Sequence, residues 1–99
     1  MKELCKSILE VVEQVATYSY KISELQRLTE QVTDPELRHH CEEVLKWWIW
    51  YVPPEYERSP IDPRMGLYNP EAPRTHRQWL LGVSVAYMNL KKCCQKFMS

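Results

Sequence analysis

A chain of 99 residues with thirteen basic and thirteen acidic side chains carries no net charge, which argues against a strongly basic nucleic-acid binder. The charge is unevenly spread: residues 1–51 hold six Lys/Arg against nine Asp/Glu, and residues 52–99 hold seven against four. No apolar run approaches the ~20 residues needed to cross a bilayer, and "MKELCKSILEVVEQ" interrupts its apolar residues too often for a signal-peptide core.

The expected compartment is therefore the cytoplasm, with no membrane contact. Cys5, Cys41, Cys93 and Cys94 are then expected as reduced thiols.

Residues 2–33 contain neither Gly nor Pro. Alternating steps of four and three pick out Met1, Leu4, Ile8, Val11, Val15, Tyr18, Ile22, Leu25, Thr29 and Val32, nearly all apolar or aromatic. This heptad seam predicts one helix over 2–33. At ~1.5 Å per residue it would be close to 50 Å long, about twice the ~26 Å diameter of a compact domain of this size. The helix must either bend or lay its seam against another chain. Ile8, Val11, Val15, Tyr18, Ile22 and Leu25 are the expected oligomer interface.

"TDPEL" starts a second helix over 35–51, with Asp34 as the cap and Pro35 at the first helical position, where its missing N–H costs nothing. Leu37, Cys41, Val44, Trp48 and Tyr51 form its seam, and Glu42 to Lys46 is a favourable pair one turn apart. Pro53 and Pro54 end it.

Residues 52–74 hold six of the seven prolines and read as an irregular loop. Tyr56, Ile61, Met65, Leu67 and Tyr68 give it the apolar content to lie ordered over the helices. A third helix follows over 75–97, opened by Thr75 and Gln78 in a capping-box spacing. Trp79, Val83, Ala86, Leu90, Cys93 and Phe97 form one seam; Leu80, Val83, Tyr87, Leu90, Cys94 and Phe97 form a second beside it. So broad a stripe touches two neighbours. The expected fold is all-α: a three-helix bundle in one domain, 1–99, with a long N-terminal helix.

"KWWIWYVPPEY" concentrates aromatic rings where the second helix ends. At 100° per residue only Trp48 and Tyr51 share the inward seam, so Trp47, Ile49 and Trp50 point elsewhere and need a cover. The following loop is one cover, a second copy or target protein is another, because Trp, Tyr and Arg dominate protein interfaces, and a ligand pocket is the third. Trp47, Trp50, Tyr56, Arg58 and Arg64 are the expected partner-binding residues.

Arg74, Thr75, His76, Arg77 and Trp79 form a second candidate, an anion or nucleotide site. Basic side chains at a helix N-terminus run against the dipole and need a negative partner, and an indole offers a stacking face. Neighbouring acids such as Glu55, Glu57 or Glu71 are the internal alternative. "HHC" (His39, His40, Cys41) and "CC" (Cys93, Cys94) supply zinc-type ligands, but adjacent residues on a helix diverge by 100°, so no metal is expected. With only Gly66 and Gly82 there is no glycine-rich phosphate loop, and no pattern marks an activated nucleophile.

The sequence thus predicts a non-enzymatic helical protein–protein interaction module without a cofactor. It would be an adaptor or inhibitor of the kind viruses and mobile elements carry, and a homo-oligomer. The alternative is a binder of nucleotides or short oligonucleotides, with Arg74 and Arg77 on phosphate and a tryptophan on the base.

Overall fold

The computed structural model describes residues 1–56 and 72–98, apart from the Tyr56 side chain. They form four α-helices and a short 3₁₀ turn: α1 Lys2–Glu13, α2 Tyr18–Thr29, α3 Pro35–Ile49, the turn Pro54–Tyr56, and α4 His76–Met98. Among the described residues there is no β-strand, and no helix is long and apolar enough to cross a membrane.

The single helix expected over 2–33 is two helices folded back on each other. Gln14 leaves α1 in extended geometry, with its N–H still bonded to the Val11 carbonyl. Thr17 is extended too, and its hydroxyl accepts from the Tyr20 N–H to cap α2. Val11, Val12, Val15 and Thr17 crowd β-branched side chains into this stretch, lowering its helix propensity. Folding back also lets Ile8 and Leu25 share one core, which a straight rod forbids. Both are fully buried, while Val15 stands fully exposed at the turn.

The other boundaries follow local chemistry. Asp34 Oδ2 accepts from the Leu37 N–H at 2.9 Å, and Pro35 opens α3. The helix stops at Ile49, slightly short of the expected Tyr51. Lys46 pairs with Glu43 at 2.8 Å rather than with Glu42, which faces Arg38. At α4, Thr75 Oγ1 accepts from the Gln78 N–H at 3.1 Å, and Gln78 Oε1 accepts from the Arg74 N–H at 2.9 Å, one residue before the N–H that a capping box uses.

Each helix packs against two others in a closed ring: α1 on α2, α2 on α3, α3 on α4, and α4 on α1. Cross-contacts show that neighbours are antiparallel. Lys21 at the start of α2 reaches Val12 at the end of α1, Tyr18 meets Tyr51, and Lys96 near the end of α4 meets Glu36 at the start of α3. The result is an up-down-up-down four-helix bundle in place of the expected three-helix arrangement.

The expected seams of α3 and α4 supply most of the core: Leu37, Cys41, Val44 and Trp48 from one, Trp79, Val83, Ala86, Leu90 and Cys93 from the other. Tyr51 and Leu80, expected inward, are 41% and 48% exposed. The expectation that Ile61, Met65, Leu67 and Tyr68 lie over the helices falls outside the described residues.

Candidate functional site

The aromatic residues divide into an internal hub and an external edge. In the hub, Trp48 is buried and its indole N–H donates to the Tyr87 hydroxyl. Tyr18 lies 6.5 Å from the Trp48 ring and 5.0 Å from Tyr51. The Trp79 ring stands edge-on to Tyr18 and Tyr51, at 6.0 and 4.9 Å. Edge-to-face geometry sets the positive rim of one ring against the negative face of the next.

The hub also closes two helix ends. Trp79 Nε1 donates to the Trp47 carbonyl at 2.7 Å, satisfying an acceptor that the last turn of α3 cannot use. Lys21 Nζ does the same for Val12 of α1 at 2.9 Å and sits 5.1 Å from the Trp48 ring centre. Burial lowers the Lys21 pKa, since the ammonium has exchanged water for one carbonyl and two ring faces. Burial likewise raises the Tyr87 phenol, offset in part by its bond from Trp48.

The external edge begins with Trp47, half-buried and seated on α4. A Cβ built at Gly82 would lie 2.3 to 2.5 Å from three atoms of its ring, so only glycine admits the indole there. Trp50 stands edge-on to Trp47 at 5.5 Å, and Lys46 Nζ lies over both rings. Along the outside of α4 run Leu81, Val85 and Met88, 65%, 51% and 48% exposed. Leu81 and Val85 line a groove between α3 and α4 floored by Gly82 and Ala86 and walled by Trp47. Ile49, 63% exposed, continues the apolar surface beside Trp50.

Gly82→Ala should therefore be destabilising by about 1–2 kcal/mol through overpacking, although Ala normally gains up to ~1 kcal/mol over Gly inside a helix. In a Trp47→Ala background the same change should become stabilising. Urea denaturation of the four-member cycle measures this, and an equal effect in both backgrounds would show that the indole does not occupy this seat.

The predicted site residues are dispersed. Of the partner-binding set, Trp47 and Trp50 share the edge, while Arg58, Arg64 and the Tyr56 side chain lie outside the described residues. Of the expected oligomer interface, Ile8, Val11 and Leu25 are buried within one copy, Tyr18 and Ile22 are half-covered and Val15 is exposed. Of the anion candidate, Thr75 caps α4, His76 Nδ1 donates to the Val52 carbonyl at 2.8 Å, and Trp79 is buried. The Arg74 N–H is bonded to Gln78, and Arg77 is exposed.

Sequence reasoning missed Leu81, Val85 and Met88. Their spacing of four and three was present as a third apolar stripe on α4, masked by the two inward seams.

The thiols gather at the opposite end. All four cysteines are buried free thiols, and the Cys94 S–H donates a hydrogen bond to the Cys5 sulfur. Burial pushes the Cys41 thiol up to about 11 despite a bond from Thr29, and raises Cys93 and Cys94 as well. Thiolates are the reactive form, so these three are disfavoured as nucleophiles near neutral pH. Glu36 and His40 of α3 lie beside Cys93.

The chain matches no protein-family model, no curated protein and no solved structure. The described residues define a four-helix bundle with an aromatic hub at one end, buried thiols at the other, and an apolar strip along the outer side of α3 and α4.

Proposed function

We propose that the protein is a non-enzymatic helical interaction module, an adaptor or inhibitor that grips another protein along its α3–α4 outer face. The observation that carries this reading is the exposed strip of Leu81, Val85 and Met88 beside the Trp47–Trp50 edge. Isolated exposed apolar residues are ordinary, but a contiguous strip rimmed by charged groups marks a contact surface. The rings are rigid and rich in area, the properties of residues that dominate binding energy.

In this reading self-association runs through the same strip, because most of the N-terminal seam is covered within one copy. The nucleotide reading is weaker, since Trp79 is buried and Trp47 is seated over Gly82.

The test pairs wild type with Leu81→Asp/Val85→Asp, two exposed positions whose substitution should leave stability within about 0.5 kcal/mol. Each is used as bait in its native host, and retained proteins are identified by mass. A protein recovered in stoichiometric amount with wild type and lost with the variant supports the reading. Equal recovery on both, or none on either, removes it. Light scattering on both proteins decides self-association: a single-chain mass for wild type ends that part.

A further inference from the structure

Glu36 and His40 stand one turn apart on α3, so their side chains share a face. Cys93 approaches them from α4. A carboxylate oxygen, an imidazole nitrogen and the Cys93 sulfur lie within 4.8 Å of one another. We propose that Glu36, His40 and Cys93 bind a zinc ion, which clamps the start of α3 to the end of α4.

The donor set selects the metal class. A thiolate and an imidazole are poor ligands for magnesium or calcium and good ones for zinc, which also accepts a carboxylate. Binding displaces the Cys93 thiol proton to solvent, and the resulting thiolate together with the Glu36 carboxylate neutralises a divalent ion. Ligand atoms around a tetrahedral zinc, bound at ~2.0–2.3 Å, stand roughly 3.5 Å apart, so the trio closes with about 1 Å of side-chain movement. The movement falls on Glu36, which is exposed, and His40, which is half-buried; Cys93 is held in the core. Three protein ligands leave a fourth position to water.

Lys96 gives the site a competitor. Its ammonium holds Glu36 Oε1 at 3.0 Å, with both side chains largely in solvent. Metal must displace that ammonium from the carboxylate, so the salt bridge and the zinc site are mutually exclusive. Exposed pairs of this kind are weak, and a divalent ion displaces the amine readily.

The test uses the full, tag-free, reduced chain titrated with cobalt(II), a spectroscopic stand-in for zinc. Expected is a saturable thiolate-to-cobalt charge-transfer band at one metal per chain, abolished by adding zinc. Cys93→Ala should eliminate the band. His40→Ala and Glu36→Gln should weaken binding about tenfold or more, the scale at which even supporting groups of metal sites act. His39→Ala and Cys94→Ala should leave it intact. Lys96→Ala should tighten binding several-fold, a gain that a merely structural role for the trio does not produce.

Circular dichroism checks that each variant folds, and Glu36→Gln, at an exposed position, and His40→Ala, at a half-buried one, keep the test valid if Cys93→Ala does not fold. Absence of a saturable band, survival of the band in Cys93→Ala, or unchanged affinity in both His40→Ala and Lys96→Ala overturns the proposal.

Discussion

Trp48→Ala is expected to destabilise the protein by about 3–5 kcal/mol, the usual range for removing a large aromatic from a core. Net stabilities of ~5–15 kcal/mol leave little room for such a loss. At ~4–8 °C per kcal/mol for a domain of this size, the midpoint should fall by at least ten degrees or the chain should fail to fold. Three neighbours explain why the effect belongs at the top of the range. Tyr87 loses its hydrogen-bond donor, Lys21 loses the ring beneath its ammonium, and Tyr18 loses an aromatic contact that ties α2 to α3.

Trp48→Phe is the milder change. It keeps one aromatic ring but removes the donor together with the rest of the indole, so it should cost about 1–3 kcal/mol through a smaller cavity and the unsatisfied Tyr87 hydroxyl. Ile49→Ala, at an exposed neighbour, should fall within about 0.5 kcal/mol of wild type. Thermal unfolding of the three variants measures the order. A Trp48→Ala midpoint near that of Ile49→Ala would remove the hub from the centre of the fold.

The second large effect separates two positions that the heptad pattern treats alike. Leu25→Ala should cost about 2–5 kcal/mol because it opens a cavity in a fully buried site. Val15→Asp should change stability by no more than about 0.5 kcal/mol, since its side chain is fully exposed at the turn between α1 and α2. In one long helix with a shared seam, both substitutions would be severe. Chemical denaturation distinguishes the cases, and a Val15→Asp loss comparable to that of Leu25→Ala would rule out the hairpin.

Val15 shows why the turn was hard to read. A heptad pattern has the same form whether the chain runs straight or folds back, because both halves present their apolar face to one core. Nothing but the β-branched crowding of residues 11–17 and the hydroxyl of Thr17 marked the break, and neither is a strong stop without Gly or Pro. The direction of the tryptophans was easier. The rotation of 100° per residue placed Trp48 inward and Ile49 outward, and they are 1% and 63% exposed.

The candidate sites follow the same division. Trp47 and Trp50 stood out by composition, but the glycine seat beneath Trp47 depends on how α4 slides along α3. Leu81, Val85 and Met88 were readable only as a surplus, since periodicity cannot tell which apolar stripe of a helix is left outside. His40 and Cys93 are each legible in the sequence as zinc-type ligands, but the residues adjacent to each diverge by 100° on a helix. The approach of His40 to Cys93 requires antiparallel packing in one particular register.

By itself the sequence determined the helical class, the start of α3 at Asp34 and Pro35, the Thr75 cap of α4 and most of the inward seams of both helices, Tyr51 and Leu80 excepted. These depend on bonds and rotations within a few residues, and local chemistry settles them. Only the tertiary structure decided that the N-terminal half is a hairpin, that four helices close into a ring, and that Glu36, His40 and Cys93 meet. Those outcomes rest on burying apolar surface between distant segments, a free energy that no single stretch of chain contains.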